Sequence, residues 1–528
     1  MAAAGAPGED QALHEAVTAL ALELCPELGI AIPVGKDSLS MQTRWEAEGE
    51  ARAVTSPLSL VISAFAPVED GTRTLTPELQ LGEGATTLVL LDLGFGANRL
   101  GASSLAQAYG QLGHEVPDLA DPARLKAFFT LVQRWGAAGE LLAYHDRSDG
   151  GLWVTVVEMA IAARAGFDLT LPAQDPLGVL FSEELGAVLQ VREDAVPRLR
   201  AEAEAAGLAP AFQVLGPVTE AEQLVVRDGA GAVLFERPRA EAERRWMETS
   251  YHMARLRDDE TCAREEYDAI ERSAHALRPR LTFDPGAEPA APAVLTGARP
   301  RAAIFREQGV NGQLEMAAAF HAAGFETVDV HSSDLQSGRT SLGDFQVLAV
   351  CGGFSYGDVL GAGQGWAKAL RFNDRARGEL EAHFARADRL TLGVCNGCQM
   401  LSALAPLIPG AEAWPRFLRN RSEQFEARLS QVEVLASPSP FLAGMAGSVL
   451  PVAVAHGEGR ASFANAEAAQ RLQAQGGLAL RYVDGDGQAA TLYPSNPNGS
   501  ELSAAGVCSA DGRTLIMMPH PERVFLTR

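Results

Sequence analysis

The 528-residue chain has no run of ~18 consecutive apolar residues, and its first residues, MAAAGAPGEDQALHEAV, lack the basic and apolar regions of a signal peptide. A membrane span is excluded on that pattern, and a cytoplasmic location is expected. Basic residues are scarce: 44 Lys and Arg stand against 67 Asp and Glu, a formal charge of −23. A surface so acidic repels nucleic acid and anionic lipid, so neither is expected as a partner and an anionic substrate would need a local pocket. Cysteine is thin as well. Six scattered residues (Cys25, Cys262, Cys351, Cys395, Cys398, Cys508) do not form a secreted disulfide framework and are expected to be reduced. Short-period repeats and coiled-coil heptads are also lacking. What is present is a composition 47% hydrophobic and 21% charged, with 52 glycines and 29 prolines, which fits a multidomain α/β protein.

Apolar residues recur at helical spacing from Glu9 to about Leu28. Strand-like TTLVLLDLGFG (86–96) and helical LWVTVVEMAIAARAG (152–166) then point to an α+β module reaching about residue 230. Residues 231–297 form a charged, helix-prone connection that runs into the Pro/Ala-rich RPRLTFDPGAEPAAPAVLTGARP, which reads as an interdomain linker. From about Pro300, RAAIFRE, NGQLEMAAAFHAAG, FETVDVH and FQVLAVCGG alternate strand and helix, the pattern of a mostly parallel sheet with helices on both faces. The expected domains are therefore 1–85, 86–230, a connection at 231–297, and an independent unit at 298–528.

The strongest chemistry lies in that last segment. RLTLGVC reads as an apolar strand and NGCQMLSAL as a helix, so Gly393-Val394-Cys395-Asn396-Gly397 sits at a strand-to-helix turn with the G-x-nucleophile-x-G spacing of a nucleophile elbow. A cysteine there stands at a helix N-terminus, where the dipole favours thiolate. The flanking glycines are expected to permit the tight turn. Oxyanion donors are expected from the amide of Asn396 and from Gly353, where FQVLAVC breaks into GGFSYGD. Near the C-terminus the apolar TLIMMP precedes His520-Pro521-Glu522, offering a base and a carboxylate to orient it. A redox pair or half of a zinc site is the competing reading of Cys395-Asn396-Gly397-Cys398, although it leaves the double glycine and the His-x-Glu unexplained.

GVCNGCQML with the terminal PHPER resembles the class I glutamine amidotransferases, over about residues 298–528. GGFSYGDVL and YPSNPNGS narrow the resemblance to the glutaminase domain of the phosphoribosylformylglycinamidine (FGAM) synthase family. It implies that Cys395, His520 and Glu522 hydrolyse glutamine. It further implies that the ammonia serves an ATP-dependent, C–N bond-forming ligase reaction of purine biosynthesis, converting formylglycinamide ribonucleotide (FGAR) to FGAM.

Residues 1–230 hold two candidate phosphate-handling segments. In IPVGKDSLSM, Gly35, Lys36 and Ser38 could face phosphate, but the spacing is not that of a P-loop. In YHDRSDGGLWVTVVEMA, acidic residues and a double glycine lead into a helix, so amides and dipole could face an anion while Asp146 or Asp149 held Mg²⁺. These stretches, with LGASSLAQ and LFSEELGAVLQV, resemble the synthetase domain of the large single-chain form of the same family, related to aminoimidazole ribonucleotide synthetase. The resemblance implies a Mg²⁺ ligand at Asp146 and an ATP contact at Ser148. It also implies that the chain corresponds to the C-terminal two-fifths of a longer enzyme, with a first synthetase half as the missing partner. A free-standing glutaminase subunit and a non-catalytic fragment are the alternatives.

Overall fold

The computed structural model describes residues 1–172, 174–272, 277–287, 295–297 and 299–526 and divides into two compact units, Met1–Glu243 and Arg244–Arg528. Of the Pro/Ala-rich stretch expected as a linker, residues 288–294 and 298 lie outside the described residues.

In the first unit the early helix runs from Glu9 to Leu28 as expected, with a π-helical stretch at Thr18–Leu24. A hairpin follows, β1 (Gln42–Ala47) paired with β2 (Glu50–Thr55). It is exposed on both faces, and the surrounding segment leaves apolar side chains such as Val34 and Phe65 in solvent. The body of the unit is a seven-stranded sheet in the order β4-β6-β3-β7-β5-β8-β9. Its strands are β3 (Thr86–Asp92), β4 (Leu141–Asp146), β5 (Gly166–Thr170), β6 (Gly186–Arg192), β7 (Phe212–Thr219), β8 (Gln223–Arg227) and β9 (Val233–Pro238). All pairings are antiparallel except β5 with β8. Strand β3 shows why the layers form. Side chains alternate faces along a strand, so Leu88 and Leu90 enter one core with the helix Gly151–Ala163, while Val89 and Leu91 enter another with Phe128, Leu131 and Trp135 of the helix Pro122–Ala137.

The second unit is built on a nine-stranded sheet in the order β11-β10-β12-β13-β20-β19-β18-β15-β16. The strands are β10 (Arg301–Arg306), β11 (Glu326–His331), β12 (Val347–Val350), β13 (Leu390–Val394), β14 (Arg416–Leu418), β15 (Glu426–Val434), β16 (Val449–His456), β17 (Arg460–Ser462), β18 (Leu478–Val483), β19 (Ala504–Cys508) and β20 (Thr514–Met517), with β14 and β17 forming a separate pair. The five strands from β11 to β20 are parallel, and the remaining four continue the sheet antiparallel. Strands β12 (VLAV) and β20 (TLIM) are buried along their whole length, the continuous apolar reading of a parallel strand covered on both faces.

This unit starts at Arg244, well before Pro300. The charge of the connecting segment explains the difference. Helix Glu260–Asp268 presents Glu265 to Arg421 and to the backbone N–H of Tyr493 (2.8 Å), and Arg421 Nε approaches Cys262 Sγ at 3.2 Å. Farther on, Arg280 and Val449 exchange backbone hydrogen bonds of 2.9 and 2.7 Å. No helix among the described residues is long and apolar enough to cross a membrane.

Candidate active site

Strands β13 and β20 are neighbours in parallel register, Val394 opposite Met517, so the residues that follow them emerge at the same sheet edge. Cys395 follows β13, His520 follows β20, and the amide of Cys395 donates to Met517 O at 2.9 Å. The cysteine takes φ 52°, ψ −111° and the helix Asn396–Ala403 begins at once, buried at every residue. The left-handed backbone thus falls on the cysteine itself. The flanking glycines serve close packing instead of the turn geometry expected of them: a Cβ on Gly397 would stand 2.2 Å from Val350 O, and one on Gly393 would stand 2.5 Å from a Leu401 methyl.

His520 Nδ1 lies 2.6 Å from Glu522 Oε1, and both side chains are at most 2% exposed. The ring of His520 is held by its own backbone, whose N–H donates to Ala453 O at 2.8 Å. A Cβ on Gly352 would stand 2.7 Å from His520 Cε1 and 3.2 Å from Cys395 Cβ, so the double glycine after β12 lies against both groups. The Asn396 amide occupies the first helical position, where an N–H has no intrahelical acceptor. The Asn396 side chain accepts from Ser355 N (3.1 Å) and donates to Asp358 Oδ1 and Gln399 Oε1 (3.0 Å each), fastening the 353–363 loop to the nucleophile helix. That loop carries positive φ at Gly353, Tyr356, Gly357, Asp358, Gly361, Ala362 and Gly363.

One residue near the nucleophile escaped the sequence reading. His456 ends β16, and ligand atoms of Cys395, His456 and His520 lie within 4.8 Å of one another. The signal was HGEGR at the end of an apolar strand, a histidine followed by Gly457 and Gly459.

The electrostatics suit a nucleophile. Burial pushes the Cys395 thiol up, but the imidazoles of His456 and His520 outweigh it and bring the group down to about 6. For His520, burial disfavours the cation, yet Cys395 and Glu522 raise it to about 9. Between those values the site holds a thiolate and an imidazolium. Cys398 is fully buried and burial pushes its thiol well up, an inert environment at odds with a redox partner.

In the first unit, Asp146 ends β4 and Ser148 follows it, both exposed, with Tyr144 OH donating to Asp146 Oδ1 at 2.5 Å. The expected anion site at the following helix is closed by the protein's own groups: Gly150 N donates to Glu183 Oε1 (2.8 Å) and Gly151 N to Ser148 O (2.9 Å). Mg²⁺ takes six oxygens, of which Asp146 offers one carboxylate, so this pair does not by itself fit a metal–nucleotide group. Buried Arg147 points inward, onto Asp92 Oδ1 (2.5 Å) and Glu184 O (2.5 Å), beside a cavity of about 220 Å³ whose lining also includes Asn98, Gln174 and Gln213. Gly35 and Lys36 are exposed and Ser38 is half-buried, with Lys36 Nζ donating to Ser38 Oγ at 2.9 Å.

The CobB/CobQ-like glutamine amidotransferase domain family matches residues 299–528, so the second unit is built around a glutamine amidotransferase domain. Residues 1–67 match the FGAR-AT PurM_N-like domain, and 87–229 match the AIR synthase related protein, C-terminal domain. Together the three matches are to domains of the FGAM synthase type, two synthetase-related ones ahead of a glutamine amidotransferase domain.

Among solved structures, PurLQS from Thermotoga maritima is 27% identical, with 43% of this chain and 89% of that one covered and a TM-score of 0.33. PurL of T. maritima complexed with ATP is 15% identical (36% and 28% covered, TM-score 0.25), and the same protein complexed with FGAR is 13% identical (36% and 30% covered, TM-score 0.25). The chain thus spans less than a third of the PurL chains it matches.

Proposed function

We propose that the second unit hydrolyses glutamine to glutamate and ammonia, with Cys395 as nucleophile, His520 as acid and base, and Glu522 as its orienting carboxylate. The observation that carries this reading is the buried Cys395 standing on an elbow beside the 2.6 Å His520–Glu522 pair. The Cys395 thiolate attacks the side-chain carboxamide carbon, and the developing oxyanion meets the amides of Gly353 and Asn396. Collapse of that intermediate breaks the C–N bond. The departing amine takes the proton from His520 and leaves as ammonia, and the carbonyl stays on sulfur as a thioester. Water, deprotonated by His520, then attacks the thioester to release glutamate and restore the thiolate.

The family supports the destination of the ammonia: ATP-dependent conversion of FGAR to FGAM, a ligase reaction of purine biosynthesis. On that reading Mg²⁺ and ATP would be its cofactors, with Asp146 offering a carboxylate to the metal and Ser148 a hydroxyl to the nucleotide alongside groups beyond this pair. The experiment for the glutaminase is glutamate release by the purified full chain and by Cys395→Ala. Activity in the wild type that vanishes in the variant is expected, and activity retained by Cys395→Ala would overturn the nucleophile. For the synthetase residues, a fall in MgATP affinity in Asp146→Asn is expected, read by calorimetric titration.

A further inference from the structure

The chemistry above uses one imidazole, but two stand at the sulfur. His456 is 2% exposed, and neither of its ring nitrogens has a hydrogen-bond partner. Buried polar atoms are nearly always paired, so a doubly unpaired ring beside a nucleophile calls for a role. Resting on the glutaminase reading, we infer that His456 is a second catalytic imidazole, one that donates an N–H to the Cys395 sulfur and fixes its direction while His520 moves the protons.

The surroundings are built to hold this ring and leave its nitrogens free. Asn420 grips the backbone on both sides of the turn: its Nδ2 donates to His456 O (2.8 Å) and its Oδ1 accepts from Gly459 N (2.9 Å). Asn498, from the YPSNPNGS segment, donates to Asn420 Oδ1 at 2.8 Å and accepts from Tyr482 OH at 3.0 Å. These buried amides are thereby occupied with each other and with backbone. Gly459 keeps the ring's space open, since a Cβ there would stand 2.3 Å from His456 Nε2.

The two histidines also differ in what stands behind them. His520 has Glu522 at 2.6 Å, the arrangement that suits a proton carrier. Glu458, the carboxylate nearest His456 in sequence, is engaged elsewhere and accepts from Ala362 N at 2.5 Å. With no carboxylate bonded to it, His456 suits the part of a fixed donor and not that of the proton carrier. Among the ionisable groups of the surrounding elements, His520 acts on Cys395 together with His456, Cys398 on the nucleophile helix and Tyr482 on β18 feel the Cys395 charge, and Glu522 stands behind His520. Both imidazoles act to lower the thiol.

The test is the pH profile of carbamoylmethylation of Cys395 by iodoacetamide, followed by peptide mass spectrometry on the full chain with chelator present throughout, together with glutaminase kcat and KM. The proteins are wild type, His456→Phe and His456→Gln. In His456→Phe the inflection is expected to move up by about one pH unit or more, the thiolate fraction below the inflection to fall about tenfold, and kcat to fall with it. His456→Gln, which keeps an N–H donor, should recover most of both. An unmoved inflection in His456→Phe, whether or not activity falls, would overturn the inference and leave His456 a packing residue. Equal loss in the Phe and Gln variants would also overturn it. Because alkylation needs no glutamine, a moved inflection supports the donor role even if the wild type hydrolyses none, and that second result would count against the glutaminase reading alone.

Discussion

Replacing Glu522 by glutamine isolates what the carboxylate does for His520, because the side chain keeps its size and loses its charge. The pair is 2.6 Å apart and at most 2% exposed, so solvent screens it little. A hydrogen bond to a charged group contributes roughly 1.5–3 kcal/mol, and each 1.36 kcal/mol is one pH unit, so removing the charge should lower the His520 proton affinity by about one to two units. The direction follows from the state stabilised. Glu522 favours the imidazolium, His520 is raised to about 9, and activity needing that proton for the departing ammonia is present below about 9 and lost above it. The alkaline limb of kcat against pH should therefore move down in Glu522→Gln, while the acid limb, set by Cys395 at about 6, should move little. A glutamine can also turn its amide toward His520 Nδ1 and favour the wrong tautomer, an effect that in a serine triad costs about 10⁴ in kcat. Glutamate release measured across pH tests both effects. An alkaline limb that stays in place, with kcat within tenfold of wild type, would refute the assignment of Glu522 as the orienting group.

Two further outcomes follow from the packing. Cys398→Ala should keep glutaminase activity within a few-fold while lowering thermal stability by roughly 1 kcal/mol, since a fully buried sulfur is lost without an assigned chemical role; loss of activity as complete as in Cys395→Ala would revive the redox reading. Residues 244–528 expressed alone should be folded and glutaminase-active, whereas a shorter version starting at residue 298 loses Glu265 from Arg421 and Arg280 from Val449 and should melt at a lower temperature; equal melting temperatures by calorimetry would show that the earlier segment adds nothing to the unit.

The legible parts of this protein are those whose signal is local. Cys395 was readable because strand, glycines and helix all lie within a short stretch, and His520 because its orienting carboxylate is two residues away. His456 reaches the same sulfur from another strand, and only the pairing of β15, β16 and β18 brings it there. The roles of Gly393 and Gly397 were misread for a related reason: their close neighbours Leu401 and Val350 are set by packing and register. The parallel strands were evident from the alternation of strand and helix after Pro300. The attachment of helix Glu260–Asp268 was not, because a surface rich in Arg and Glu reads the same whether its charges face water or arginines on the same unit. The double glycine after Asp149 suggested an anion site because helix N-termini attract negative charge in general. In the fold that charge comes from Glu183.

The backbone angles at Cys395 put catalysis and folding in opposition at a single residue. A side chain at φ 52°, ψ −111° is a conformation that L-residues rarely adopt and glycine adopts freely, with strain on the order of 1–3 kcal/mol. Cys395→Gly, though stripped of its nucleophile, is therefore expected to unfold at a higher temperature than Cys395→Ala, which keeps the Cβ and the strain. Thermal resilience alone would favour glycine at this position, whereas the chemistry proposed for it requires the sulfur.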